Sequence, residues 1–430
     1  MHKIIHSLKF CFILKGGGKM KKALFVAVII AIALVGCGYD NEPDNVIASS
    51  KYASTSDGRY IVTFDGPVNE AAVGNNRGHV LKKLSLVNGL LVLLPDHAAV
   101  KRIQAMKGVK GVEVDAVVYA TAPPGACSPW PECKDEPVPD PEPEPTPPQT
   151  MDWGVDRIDA DLAWSVSKGT GVKVAVIDTG IDKDHPDLAG NLKGGVNFVS
   201  KNPKKPADPN TWDDDNGHGT HVAGIIAAID NTEGVVGVAP EANLYAVKVL
   251  DKTGSGYVSD IISGLQWAVN NGMDVVNMSL GAQVDVQAFH DAVDAADAAG
   301  VLLFAAAGND GDGDPLTNEV DYPAKYDSVV AVGATASDDS TPYWSSEGAE
   351  VEVSAPGANV LSTTNDGGYG VKNGTSMATP HVVGVAALMV SAGVTDVRGT
   401  LTATAEDLGP VGFDNSYGYG LVDAQVAVGL

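Results

Sequence analysis

Val172-Lys173-Val174-Ala175-Val176-Ile177-Asp178-Thr179-Gly180 is a β-branched and aliphatic run that ends abruptly in an acid, a hydroxyl and a glycine. A short apolar run of this kind has the character of a parallel strand buried on both faces. The same character returns at 242–250, 273–278, 301–307 and 328–333, and helical stretches span 258–271, 286–299 and 376–392 between and after them. Strands alternating with helices give an α/β fold, a mostly parallel sheet with helices on both faces and its functional site at the carboxyl ends of the strands. Asp178 directly follows the first run, and Asn309 follows the run that ends at Ala307.

Two further polar segments mark the edges of apolar stretches: His218-Gly219-Thr220-His221 and Gly374-Thr375-Ser376-Met377-Ala378-Thr379-Pro380-His381. A serine hydroxyl is a poor nucleophile at neutral pH, so it needs a base within hydrogen-bond reach and a third group that fixes the base. Ser376 would attack a carbonyl, His218 would take its proton and return it to the leaving amine, and Asp178 would hold the imidazole tautomer. Ser376 begins an apolar helical run whose first N–H groups lack acceptors and can stabilise an oxyanion, with Asn309 as a side-chain donor. Singly, these residues also read as a strand-end cap, a helix start and an N-cap; their conjunction favours chemistry. His221, beside Val222 and Ile225, and His381 read as buried structural imidazoles.

Val176-Ile177-Asp178-Thr179-Gly180-Ile181, Asn216 to Gly224, Ala306-Ala307-Gly308-Asn309 and Gly374 to His381 resemble the signature blocks of the subtilase family. The likeness extends over residues 149–430 through Gly254-Ser255-Gly256, Asn277-Met278-Ser279-Leu280-Gly281 and Gly418-Tyr419-Gly420-Leu421-Val422. It implies a subtilisin-like catalytic domain, a monomeric serine endopeptidase working through an acyl-enzyme. Gly254, Ser255, Gly256 and Ser279, Leu280, Gly281 would clamp an extended peptide as an added strand, beside Ala307 and Gly308. Asp310 would border the pocket for the residue before the cut, where it either favours a basic side chain or points into water. Calcium is the implied cofactor, with side-chain oxygens from Gln149, Asp187 and Asn231 and carbonyls from Ile229, Glu233 and Val235. The other reading of that segment is an ordinary asparagine-containing loop. A non-catalytic, peptide-binding scaffold of the same family is the alternative function.

The remainder of the 430 residues reads as a precursor's equipment. Lys+Arg 29 against Asp+Glu 54 gives a net charge of −25, which speaks against nucleic-acid or anionic-membrane partners. Lys19-Met20-Lys21-Lys22 leads into an apolar stretch, 23–35, too short to span a bilayer and fitting a signal-peptide core. It ends in Leu34-Val35-Gly36-Cys37, which resembles a bacterial lipobox, so Cys37 is either lipidated or incidental. Residues 1–19 would be surplus if Met20 is the start. Residues 38–57 read as a tether and 58–120 as a small α+β domain. Residues 121–148, with alternating proline and acid after Pro137, read as a solvated polyproline spacer carrying Cys127 and Cys133, either bridged or free. Ahead of such a catalytic domain, the small domain resembles the inhibitory propeptide of subtilases, an intramolecular partner removed by self-cleavage near 119–121 or near Gln149. A lipid would then anchor only the precursor, and the mature enzyme would be secreted or extracytoplasmic.

Overall fold

The computed structural model describes residues 58–121, 147–200, 202 and 205–429. The signal segment, Cys37, the tether, most of the spacer, and Cys11, Cys127 and Cys133 lie outside the described residues.

Lys173–Asp178 runs inside a seven-stranded parallel sheet. The order is Val351–Pro356, Val330–Thr335, Leu302–Ala306, Val275–Met278, Lys173–Asp178, Asn243–Lys248, Leu192–Asn197. Successive side chains of a strand point to opposite faces. Val174 and Val176 accordingly pack with helices His218–Ala227 and Thr375–Ser391, whereas Ala175 and Ile177 pack with helices Val258–Asn270 and Gln287–Ala298. Helices cover both faces, as the double burial of the apolar runs implied.

The chain leaves Asn243–Lys248 on one side of the Asp178 strand and re-enters at Val275–Met278 on its other side. The carboxyl end of that strand is therefore a topological switch point, where an open α/β sheet leaves a crevice. Asp178 lies in it, and the helices that begin at His218 and Thr375 share one face of the sheet beside it.

Residues 58–114 form a second, four-stranded antiparallel sheet ordered His79–Leu84, Gly89–Leu93, Arg59–Phe64, Val109–Val114. Val62, Leu90 and Val92 pack on this sheet's own helices, Glu70–Asn75 and His97–Gln104. Asp96 caps the second helix, accepting from Ala99 N at 2.7 Å. The opposite face, with Ile61, Val87 and Leu91, shares an apolar core with helices Val258–Asn270 and Gln287–Ala298.

Those two helices have Tyr257 and Val286 at their N-caps, neither of which makes a side-chain cap. The small sheet supplies what is missing. Asp115 accepts from Ser259 N at 2.9 Å and pairs with buried Arg59, while Glu113 accepts from Gln287 N at 2.7 Å and Ala288 N at 3.0 Å. Desolvation raises the pKa of both carboxyls, more than their hydrogen bonds lower it. Buried Asp115, turned inward to this contact, separates two strands, Val109–Val114 and Val117–Ala120. Among the described residues no helix is long and apolar enough to cross a membrane.

Candidate active site

Asp178 is fully buried, and Thr179 N donates to its Oδ1 at 2.7 Å. His218 Nδ1 donates to Asp178 Oδ1 at 2.8 Å and Oδ2 at 2.9 Å. Gly219 makes this approach possible, because a β-carbon there would stand 2.2 Å from Gly180 O. Asp214 organises the loop beneath: it accepts from Thr179 Oγ1, Gly217 N, and both the amide and the hydroxyl of Thr220. Within the acidic triplet Asp213-Asp214-Asp215 the middle residue is thus an internal brace, while Asp213 pairs with Lys183 and Asp215 with Lys248.

Ser376 is the second residue of helix Thr375–Ser391. Its Oγ lies 3.0 Å from Thr121 O and 3.2 Å from Ser279 O, and it also contacts the Thr121 hydroxyl. His218 Nε2 has no hydrogen-bond partner among the described residues, and the Ser376 hydroxyl meets Thr121 and Ser279 instead. Asn309 Oδ1 accepts from Thr375 N at 2.9 Å, and its buried Nδ2 has no partner among the described residues. A β-carbon on Gly374, whose φ is 146°, would stand 3.5 Å from each of Asn309 Nδ2, Ser376 N and Thr121 O. Two donors and one carbonyl oxygen therefore surround the same glycine, and the space it leaves is open to an oxyanion.

Val117–Ala120 runs as the middle strand of a three-stranded antiparallel sheet. Ser255 faces Tyr119 and Gly256 faces Val118 on one side; Leu280 faces Ala120 and Gly281 faces Tyr119 on the other. Ala120 N also donates to Gly254 O at 2.8 Å. The two segments expected to grip an extended peptide hold one here. Thr121, the residue after that strand, turns its carbonyl to Ser376.

The family model described as Subtilase family matches residues 169–420. The chain belongs to the subtilase family. It is 40% identical over 418 residues to Subtilisin E of Bacillus subtilis (strain 168), an alignment covering 94% of this chain and 99% of that protein. It is 49% identical over 284 residues to Subtilisin of Bacillus pumilus, covering 65% of this chain and 99% of that protein. With M-protease of Shouchella clausii (strain KSM-K16) the identity is 48% over 284 residues, 65% of this chain and 70% of that protein. As a subtilase, the chain is a serine endopeptidase.

The residues this subtilase would offer to calcium converge as well. Gln149 Nε2 lies 3.0 Å from Ile229 O and 3.4 Å from Val235 O, so both carbonyls aim at the side-chain amide. Buried Asp187 accepts from Asn231 Nδ2 and Val235 N, each at 2.9 Å. The Glu233 amide donates to Asn231 Oδ1 at 2.6 Å. Turned over, the Gln149 amide presents its oxygen to the space that its nitrogen fills. One carboxylate amid amide and carbonyl oxygens fits a hard cation.

Asp310 is exposed and accepts from Gln283 Nε2. His221 and His381 are fully buried and bond the carbonyls of Gly370 and Met377 at 2.9 Å and 2.8 Å. Burial holds the pKa of both below the usual histidine range, to about 4 for His381.

Proposed function

We propose that this subtilase is synthesised as a precursor whose residues 58–121 inhibit it, and that its first substrate is its own Thr121–Ala122 bond. The observation that carries this reading is the approach of Ser376 Oγ to Thr121 O at 3.0 Å, at the end of a strand gripped on both edges. In the reaction, Ser376 Oγ attacks the Thr121 carbonyl carbon as His218 Nε2 takes its proton, and Asp178 stabilises the resulting imidazolium. Asn309 Nδ2 and Ser376 N receive the negative oxygen. Collapse breaks the bond to Ala122 nitrogen, which takes the proton from His218. Water then attacks the Thr121 ester by the same route and frees Ser376. Other polypeptides would enter as the replacement strand along 254–256 and 279–281, beside Ala307 and Gly308.

Cleavage after Thr121 leaves the acid and proline spacer on the enzyme. Gln149 N and Thr150 N already donate to Thr232 O and Gly234 O, at 3.0 Å and 2.7 Å, and Pro147 O accepts from Gly234 N at 2.8 Å. That anchoring favours a mature domain beginning within the spacer, with calcium at Gln149, Asp187, Ile229, Asn231, Glu233 and Val235 fastening its first residues to the loop after the His218 helix. The lipobox supports export with Cys37 lipidated on the precursor, so the same cut would release the enzyme from its anchor. Close spacing of Cys127 and Cys133 in an oxidising compartment supports a bridge between them.

Expression of wild type and Ser376→Ala tests the reading. Accumulation of full precursor in the variant alone, with Ala122 at the N-terminus of the first wild-type product, is the expected result. Equal processing of both chains refutes self-cleavage.

A further inference from the structure

Asp321 is only 6% exposed, and its Oδ1 has no hydrogen-bond partner among the described residues. Buried carboxyls ordinarily have partners, because an uncompensated one is costly, and no step of the proposed reaction uses this one. Its location is defined on both sides. Asp321 N donates to Ala307 O at 2.7 Å, and the next residue, Tyr322, exchanges two backbone hydrogen bonds with Ala282, each at 2.9 Å. The residue is thus stitched between the stretch that carries Gly281 and the stretch that carries Gly308. A β-carbon on Gly281 would stand 2.7 Å from Asp321 Oδ2, and one on Gly308 would stand 3.0 Å from it.

These two glycines flank the place where the residue before the cut arrives. Gly281 pairs with Tyr119 and Leu280 with Ala120, one residue short of Thr121, while Gly308 adjoins Asn309. Side chains at 281 or 308 would wall the carboxyl off; glycines leave it within reach of a substrate group. The Thr121 hydroxyl meets Ser376 Oγ and makes no hydrogen bond to Asp321. Burial, with Asp310 nearby, pushes the Asp321 carboxyl up to about 7, against a weaker opposing pull from Lys325. Lys325 is itself engaged, donating to Asn318 Oδ1 at 2.9 Å.

We infer that Asp321 is a specificity-determining residue, which pairs with a lysine or arginine side chain on the residue before the cut. The inference rests on the proposed cleavage register. A cationic substrate supplies the partner that the fold withholds, and a neutral one leaves the carboxylate uncompensated or protonated. The chain's own Thr121 would then be a poor occupant, held by the clamp but not by the acid.

The test compares kcat/KM for N-terminally blocked chromogenic peptides that differ only in the residue before the cut: Lys, Arg, Leu or Phe. Mature wild type, Asp321→Asn, Asp321→Gly and Asp310→Asn are assayed, with Ser376→Ala as the inactive reference. Each preference is a ratio within one preparation, so the folded fraction cancels. The Lys-to-Leu and Arg-to-Phe ratios should fall by roughly tenfold or more in both Asp321 variants. In wild type they should rise between pH 6 and 8, as the free carboxyl ionises, and stay flat in Asp321→Asn. Ratios equal in wild type and both Asp321 variants overturn the inference while leaving the peptidase standing, as does a collapse seen only in Asp310→Asn. If wild type cleaves none of the peptides, like Ser376→Ala, the proposed function fails and the inference with it.

Discussion

Pro380 stands one turn beyond Ser376 in the same helix and has no N–H to offer the Ser376 carbonyl; that carbonyl instead accepts the Ser279 hydroxyl at 2.8 Å. Asn277 Nδ2 in turn donates to Ser279 Oγ at 3.0 Å. A residue of the peptide clamp thereby fixes the backbone of the proposed nucleophile. Ser279→Ala should cost about 1–3 kcal/mol, the penalty for stranding a buried carbonyl. Combined with Pro380→Ala, which restores the helical N–H, the loss should shrink, and a double-mutant cycle in the Ser376→Ala background should return a coupling of at least about 0.5 kcal/mol. Strict additivity would refute the link.

Gly374→Ala should damage catalysis more than stability. Its methyl would occupy the point 3.5 Å from Asn309 Nδ2, Ser376 N and Thr121 O, and φ of 146° adds backbone strain of about 1–3 kcal/mol. We expect kcat to fall at least as far as in Asn309→Leu, by about 10²–10³, the loss known for removal of one such asparagine in a subtilisin. Burst titration of active sites separates lost turnover from lost protein.

Asp321 should make stability depend on pH. Burial pushes its carboxyl up to about 7 in the fold, from the ordinary 3.8 that it regains on unfolding. A raised folded pKa gives a contribution that is full below about pH 4, declines as pH rises and is gone above about 7, amounting to at most about 4 kcal/mol. In the Ser376→Ala background, Asp321→Asn should therefore match its parent at pH 4 and melt higher at pH 8. A constant difference between the two melting temperatures across that range would contradict the assignment.

Calcium should raise the melting temperature of the mature domain in proportion to the logarithm of its concentration. Gln149→Leu should flatten that response while leaving the peptide preferences unchanged. Identical melting curves with chelator and with excess calcium would remove the cation from this loop.

Much of this was legible in the chain because apolar runs and their polar ends are local signals. The strand into Asp178 and the helix starting beside Ser376 lie within a residue of where the sequence put them. The edge strands Leu192–Asn197 and Val351–Pro356 escaped, since one carries two glycines and the other alternates with Glu352, as suits strands with a single neighbour. Asp214 and Asp321 were unreadable for a different reason. Acids are common in so negative a chain, and only tertiary contacts reveal that one knits a loop and the other faces a glycine wall. The sequence leaves self-cleavage near 119–121 or near Gln149, and the choice between them rests on the contact of Thr121 with Ser376, far away in sequence.

The helix caps made by Glu113 and Asp115 would have an outcome beyond the proposed inhibition. Two helices of the catalytic domain begin at Tyr257 and Val286 without a cap of their own, so the finished enzyme would keep a shape that its retained residues incompletely encode. On the proposed cut, the instructions would leave with the discarded piece. A mature molecule that loses its fold would lack part of the information needed to recover it, and its working life would be set by how slowly it unfolds rather than by how readily it returns.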